Sequence, residues 1–400
     1  LTSAEPARGA AELPRGLTDL IVKIAERCNL NCSYCYMYQH VDQSYLDRPT
    51  FMSDTTYGHL LDRAAAYCDR RPGHRMEITF HGGEPTLVGP ARLRHLARTA
   101  RARLGDRLLR IVMQTNATLI DDAMLAAILE EDILVSVSID GPPAIHDSVR
   151  VDHAGRGSHD ATVRGIRRLQ SAGRSVGVLC VVRPGGDGLA AYQHLRSLGI
   201  YHVDFLFPDA SHDSKPLLYG GYGPTPVADY LRPVFDAWFA EDDPTNEIPL
   251  FVSLLNTILG GVPCNDAFGN FAKGYLVIDT DGSIQLLDVL KVCAPGLAES
   301  GLHVATHGFD DLAQGSPFVY RAALERIPLC ATCEACAERL VCGGGYLPHR
   351  YARANGFDNP SVWCADILAL IAHIRTKLAE VVPAQLMEAI AARTAVGTAR

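Results

Sequence analysis

Cys28-Asn29-Leu30-Asn31-Cys32-Ser33-Tyr34-Cys35 stands directly after Leu20–Ala25, an apolar, β-branched run that reads as a strand. The same arrangement, a short β-rich run followed by an amphipathic stretch, recurs downstream. Further strands are predicted at Met76–Phe80, Leu109–Gln114, Ile133–Ile139, Val176–Val182 and Val203–Phe207. Between them lie stretches of helical spacing such as Leu60–Arg70 and Asp122–Glu131. Repeated βα units imply a parallel sheet or barrel with its sites at the C-terminal ends of the strands. Six strands fall short of the eight of a closed barrel. The expected fold class is therefore α/β, an open, partial (β/α)6 barrel, and the cysteine stretch occupies its first strand end.

Twelve cysteines in 400 residues are unevenly spread. Cys28, Cys32 and Cys35 form one tight group; Cys330, Cys333, Cys336 and Cys342 form another, with Cys364 trailing. A chain this long buries a large core and needs no disulfide staples. Thiolates two and three residues apart converge on one centre, as metal or iron–sulfur ligation requires. The expectation is a reduced, cytoplasmic metalloprotein. With 48% apolar and 20% charged residues, disorder and collagen-like architecture are excluded. A net charge of −8 without a long basic block leaves no footprint for a phosphate backbone, so nucleic acid is not an expected partner. The best apolar run, near Met124–Ile139, is broken by Glu130, Glu131 and Asp132, so no membrane association is expected. The chain opens on Leu1 without the charged-then-apolar layout of a secretion signal, and part of the native N-terminus is expected to be missing.

Three thiolates hold three irons of a cubane and leave the fourth iron open, the arrangement needed if a small molecule must bind there. On spacing alone, a zinc site completed by a distant fourth ligand is the alternative. The next strand ends bear on that choice. His81-Gly82-Gly83-Glu84-Pro85 follows the second strand; its glycines permit close backbone approach, and Glu84 can accept from an ammonium. Gln114-Thr115-Asn116 ends the third strand and Ser138-Ile139-Asp140-Gly141-Pro142 the fourth. Taken in order, these motifs resemble the radical S-adenosylmethionine (SAM) enzymes, with their C-x3-C-x2-C spacing, an aromatic before the third Cys and a GGEP segment. The resemblance implies a [4Fe–4S] cluster on Cys28, Cys32 and Cys35 whose open iron chelates SAM, and cleavage of SAM to a 5′-deoxyadenosyl radical. It also implies SAM-binding positions at Tyr34, Gly82, Gly83, Glu84, Pro85, Gln114, Asn116, Ser138 and Asp140. Arg150 is expected to pair with the SAM carboxylate; a solvated arginine at a helix start is its alternative.

Cys333-x2-Cys336-x5-Cys342, with Cys364 further on, resembles the SPASM extension of these enzymes, which carries auxiliary [4Fe–4S] clusters. The full pattern has an upstream G-x4-C and a C-x2-C-x5-C-x3-C run closed by a last Cys. Here Leu287 and Tyr346 stand where two of those cysteines belong. The resemblance implies one auxiliary cluster on Cys333, Cys336, Cys342 and Cys364, and a second that lacks two of its ligands. Cys264, Cys293 and Cys330 stay unassigned, with Cys330 a competitor of Cys333; Cys68 and Cys180 occupy apolar positions and read as core. Asp288 matches a carboxylate of the related sulfatase-maturating enzymes that is similar to a catalytic base. Its alternative is a capping or salt-bridged Asp, with Lys291 as partner.

The stretches Cys342–Tyr351 and Gly356–Asp366, with Asp279-Thr280-Asp281-Gly282 upstream, are more specific. They resemble the cyclophane-forming, FxsB-type radical SAM/SPASM maturases, which join an aromatic carbon to a β-carbon in a ribosomally made precursor peptide. That implies abstraction of a β-hydrogen, attack of the carbon radical on the ring, and loss of an electron through the auxiliary cluster and of a proton to Asp288. A flavodoxin- or ferredoxin-type donor is the expected external source of electrons. Thioether formation and Ser or Cys oxidation are competing chemistries, and a non-catalytic metal-binding scaffold is a reading of another class. The expected organisation is an N-terminal segment over 1–18, the barrel over 19–208, a linker and helical bridge over 209–260, a SPASM-like domain over 261–366 and C-terminal helices over 367–400. In the SPASM-like domain, metal ligation is expected to replace a hydrophobic core. The residues ahead of the first strand are too few for a peptide-recognition wing-helix domain, so the leader is expected along an exposed edge or inside the cavity.

Overall fold

The computed structural model describes residues 16–272, 274–383 and 385. Nine strands form one sheet: β1 Asp19–Ala25, β2 Met76–Gly82, β3 Leu108–Thr115, β4 Leu134–Ser138, β5 Gly177–Val181, β6 Val203–Leu206, β7 Tyr275–Ile278, β8 Ser283–Gln285 and β9 Glu299–His303. Their order is β6-β5-β4-β3-β2-β1-β7-β8-β9. The six barrel strands lie side by side in chain order and run parallel, because each connection is a helical crossover. Each end of these strands lies within two residues of its expected position.

The crossover helices include Asp54–Asp69, Asp122–Glu130 and Gly188–Ser197, and their starts are written in the sequence. Ser53 accepts from the Thr56 N–H, Asp121 from that of Met124 and Asp187 from that of Ala190, each satisfying a donor that the first helical turn leaves open. The first of these helices buries Leu60, Leu61, Ala64, Tyr67 and Cys68 against the sheet. Strand β2 alternates buried Met76, Ile78 and Phe80 with the half-buried Glu77, Thr79 and His81. One face of the sheet thus packs on helices while the other is free to line a site. Cys68 and Cys180 belong to the core, as expected.

The cysteine-rich region corrects the expectation of a segment without a hydrophobic core. Strand β7 pairs in parallel with β1 from Asp19↔Tyr275 to Val22↔Ile278, and β8 and β9 continue the same sheet antiparallel. Leu276, Ile278, Ile284, Leu286, Leu287 and Leu290 are buried members of the core shared with the barrel. Apolar burial therefore holds this region to the barrel.

Helices Pro226–Glu241 and Pro249–Ile258 follow the last barrel strand. Helix Cys364–Val381 is tied to the first of them by Asp366, whose Oδ1 accepts from the Val227 and Ala228 N–H groups at 2.7 and 3.0 Å. A carboxylate at a helix N-terminus is favoured by the open N–H groups there. The shorter helix expected from Ala384 lies, apart from residue 385, outside the described residues, as do residues 1–15. Among the described residues, no helix is long and apolar enough to cross a membrane.

Candidate active site

A cavity of about 280 Å³ lies at the C-terminal ends of the barrel strands. Cys28, Cys32 and Cys35 line it together with Tyr34, Gly82, Gly83, Glu84, Gln114, Asn116, Ser138 and Arg150. The structure thus brings together most of the positions expected from the sequence; Pro85, Asp140 and Asp288 are buried behind the wall. The cysteine loop is held by the chain segment before helix His159–Ser171. Asn31 N–H donates to the Val151 carbonyl at 2.7 Å, and Ser33 N–H to that of Val149 at 3.0 Å. Leu30 N–H donates to Cys28 Sγ at 3.3 Å, and the Asn116 side-chain amide lies 3.8 Å from the same sulfur.

Gly82 and Gly83 are demanded by the packing of this loop. A Cβ at Gly82 (φ +137°) would stand 1.9 Å from the Ala25 carbonyl oxygen, and one at Gly83 would stand 2.0 Å from the Tyr38 hydroxyl. Neither clash is tolerable, so β2 can approach the backbone entering the cysteine loop only through glycine. Glu84, 1% exposed, accepts from Thr86 N–H (3.0 Å), Thr86 Oγ1 (2.5 Å), Thr115 Oγ1 (2.6 Å) and Asn116 N–H (2.8 Å). Burial nevertheless keeps its carboxyl above the ordinary value. The turn that aims Asn116 at it needs Ala117 in the left-handed region, φ +58°, at a cost of about 1–2 kcal/mol.

Arg150 is 8% exposed, which sets aside a solvated role. Its Nε donates to Asp140 Oδ2 at 2.9 Å, and Nη1 lies 4.0 Å from Cys32 Sγ. Asp140 also accepts from the Tyr34 hydroxyl (2.5 Å) and the Val181 N–H (3.1 Å). Burial pushes the Asp140 carboxyl up, but Arg150, His146 and these hydrogen bonds hold it below the ordinary value. Asp140 is thus an ionised anchor that fixes Arg150 and Tyr34 in the wall. Gln114 Nε2 donates to Ser138 Oγ at 2.9 Å, joining the ends of β3 and β4.

The donor set fits an iron–sulfur cluster. Burial, assisted by Glu84 and the neighbouring thiols, pushes Cys28 up to about 12, and burial raises Cys35 to about 11. These thiols deprotonate readily only when a metal cation joins them. Among the described residues, no group of three or more His, Cys, Asp or Glu side chains is placed to hold one metal ion.

Asp288, 6% exposed, opens a short 3-10 turn, Asp288–Val292. Its Oδ2 accepts from the Tyr36 hydroxyl at 2.7 Å and lies 3.4 Å from Lys23 Nζ; Lys291 pairs with Asp279 instead, also at 3.4 Å. Burial raises its carboxyl, but Lys23, His81 and the Tyr36 hydroxyl together hold it below the ordinary value. Tyr36 and His81 line the cavity, so Asp288 meets it through another side chain.

The second cysteine group also assembles. Cys333 hydrogen-bonds Cys330 and feels Cys342 and Cys364; Cys342 feels Cys364 and Cys336. Cys330 therefore lies beside Cys333, in the same group as the four expected ligands. Burial pushes both Cys333 and Cys342 up to about 12. Arg350, 2% exposed, lies beside Cys333, Cys330 and Cys342, and its buried Nε has no hydrogen-bond partner. A buried guanidinium with an open donor beside thiols fits an anionic cluster. Cys264 bonds Ser253 Oγ at 3.1 Å and Cys293 lies 3.5 Å from the Pro348 carbonyl; neither joins a group. Leu287 is core, and Tyr346 lines the cavity.

The sequence reading did not single out Tyr36, His81, Asp204, Asp209, Asp266 or His349, all in the cavity wall. One signal was available: Asp204 is a charge inside the apolar strand Val203–Leu206.

Residues 22–189 match the Radical SAM superfamily, and this part of the chain has that family's α/β fold with a parallel sheet. The chain is similar to anaerobic sulfatase-maturating enzymes. It is 26% identical over 281 residues to the cysteine-type enzyme of Clostridium novyi (strain NT), covering 68% of this chain and 74% of that one. It is 27% identical over 276 residues to the serine-type enzyme of Bacteroides thetaiotaomicron, covering 63% and 64%. Native anSMEcpe, solved with bound AdoMet and the Kp18Cys peptide, shares the fold with a TM-score of 0.76 at 21% identity, covering 91% of this chain and 98% of that one.

Proposed function

We propose that this chain is a radical SAM peptide maturase that joins an aromatic carbon of a precursor peptide to the β-carbon of a nearby residue. The observation that carries the reading is one cavity lined by Cys28, Cys32 and Cys35 and also by Tyr36, the hydroxyl that leads to Asp288. Bound there, a [4Fe–4S] cluster and SAM supply an organic radical that removes a hydrogen atom from the substrate. Cys28, Cys32 and Cys35 hold the cluster. Arg150, fixed by Asp140, would pair with the SAM carboxylate, while Tyr34, Gly82, Gly83, Asn116, Gln114 and Ser138 would offer backbone and polar groups along the same wall. Glu84 and Pro85 shape the β2 end of that wall.

Hydrogen abstraction needs no base, whereas an attacked aromatic ring must release a proton into a water-poor cavity. Tyr36 takes that proton as its own hydroxyl proton passes to the ionised Asp288. Cys333, Cys336, Cys342 and Cys364 are the ligands for one auxiliary [4Fe–4S] cluster, whose chemistry is one-electron transfer. Support for the cross-link is the resemblance of the stretch from Cys342 to Asp366. A second reading, oxidation of a Ser or Cys side chain, is favoured by the similarity to the serine- and cysteine-type maturases.

The test is incubation of the anaerobic holoenzyme with SAM, a reductant and peptides bearing aromatic residues, followed by tandem mass spectrometry. A cross-linked product is lighter by two hydrogens, does not fragment within the ring and resists thiol and alkaline treatment. A hydrazine-reactive aldehyde from Ser or Cys moves the assignment to the second reading, and a ring opened as a thioether contradicts both.

A further inference from the structure

We propose that the cavity wall built by Asp204, Asp209 and His349 binds a cationic side chain of the substrate peptide, a lysine or an arginine. This rests on the peptide-maturase reading and names a feature its substrate must carry. Asp204 alternates on β6 with the buried Val203 and Phe205, and Asp209 follows that strand; both line the cavity. Asp204 takes a hydrogen bond from the Leu250 N–H, but its Oδ1 is buried with no partner. Among the described residues, the Asp209 carboxylate has no hydrogen-bond or salt-bridge partner. Asp266, held by the Tyr275 hydroxyl at 2.9 Å, adds a third carboxylate to the same wall.

Among the described residues, no cation pairs with the Asp204 or Asp209 carboxylate. Arg150 in the lining is committed to Asp140, and Lys23 lies behind the wall with Asp279 and Asp288. Burial, reinforced by neighbouring carboxylates, pushes Asp204 and Asp209 each up to about 7. Unpaired carboxylates among Phe205, Leu206, Phe207 and Phe268 are costly to bury. Such a cost marks a functional position when a ligand removes it.

His349 points independently to a polar ligand. It is 1% exposed, lines the cavity, and neither ring nitrogen has a hydrogen-bond partner. The Pro208 carbonyl lies nearby without meeting hydrogen-bond geometry and already accepts from Trp363 Nε1 at 3.0 Å. Burial holds the imidazole neutral, at about 3, so it offers an acceptor without a repelling charge. Two open carboxylates and a neutral acceptor, set in an aromatic wall, suit an ammonium or guanidinium on an aliphatic stem.

The test uses anaerobic holoenzyme with SAM and fluorescent hexapeptides carrying one Phe and, one to three residues away, Lys, Arg, norleucine or citrulline. Binding is read by anisotropy, without turnover. Lys or Arg peptides are expected to bind about tenfold or more tightly than their neutral counterparts, or about 1.4 kcal/mol. Asp204→Asn with Asp209→Asn should erase that preference while iron content and SAM affinity stay unchanged; the single variants should each erase part of it. Equal binding of Lys and norleucine peptides, no binding of any peptide, or a preference that survives in a folded double variant would overturn the proposal. A cation preference without a cross-linked product contradicts the reaction reading alone.

Discussion

In the proposed reaction Asp288 acts at one remove, because the hydroxyl of Tyr36 stands between it and the cavity. Asp288→Asn should therefore keep 5′-deoxyadenosine formation and lose most product, and Tyr36→Phe should do the same although its carboxylate is intact. Both are read by chromatography of the nucleoside beside mass spectrometry of the peptide; full product from Tyr36→Phe would show that the proton leaves by another path. Glu84 makes a second case. Its motif reads as an acceptor for an ammonium, yet four protein donors already converge on it. Glu84→Ala leaves several buried donors unsatisfied and should destabilise the fold by about 2–5 kcal/mol, as each buried orphan costs roughly 1–3 kcal/mol. A lower urea midpoint checks this; an unchanged midpoint with weaker SAM binding would make Glu84 a ligand contact only. The motif was legible in the sequence, but its partners Thr115 and Asn116 belong to another strand end.

The strands of the barrel were legible because each is a short, largely apolar run bounded by stretches of helical spacing. Strands β7 to β9 were not: they are three to five residues long, and β7 gains its place by pairing with β1 at the other end of the chain. Local pattern carries no record of such a pairing. The same limit hid Asp204, Asp209 and His349, whose meeting depends on how β6 faces the turn Leu347–Arg350. The cysteine spacing at 330–342, by contrast, was a local signal, and the structure sets Cys330, the competitor of Cys333, at the start of the short helix Ala331–Glu334. With Cys333, Cys336, Cys342 and Cys364 as the ligands, Cys330→Ser should leave the iron content of the reconstituted protein unchanged, whereas Cys333→Ser should lower it by about four irons, one cubane. Loss of iron from Cys330→Ser alone would place Cys330 in the ligand set.

The barrel and the cysteine-rich region act as one body. They share a sheet through β1 and β7 and a continuous core, and the second region supplies Tyr346 and His349 to a cavity that the first opens. Cys28, Cys32 and Cys35 line that cavity, while the other thiol group is joined to it through the short segment from Cys342 to His349. By the resemblance to the SPASM pattern, Leu287 in the core and Tyr346 in the wall stand where a further cluster would take cysteines. The central claim is therefore one SAM-binding cluster and one auxiliary cluster per chain. Iron and sulfide analysis of anaerobically reconstituted protein, paired with a SAM-cleavage assay, tests it most directly. Wild type should hold about eight irons in two cubanes, and Cys28→Ala with Cys32→Ala and Cys35→Ala should keep about four and cleave no SAM. Iron near twelve would contradict the single auxiliary cluster, and iron near zero with stoichiometric zinc would contradict the radical SAM centre itself.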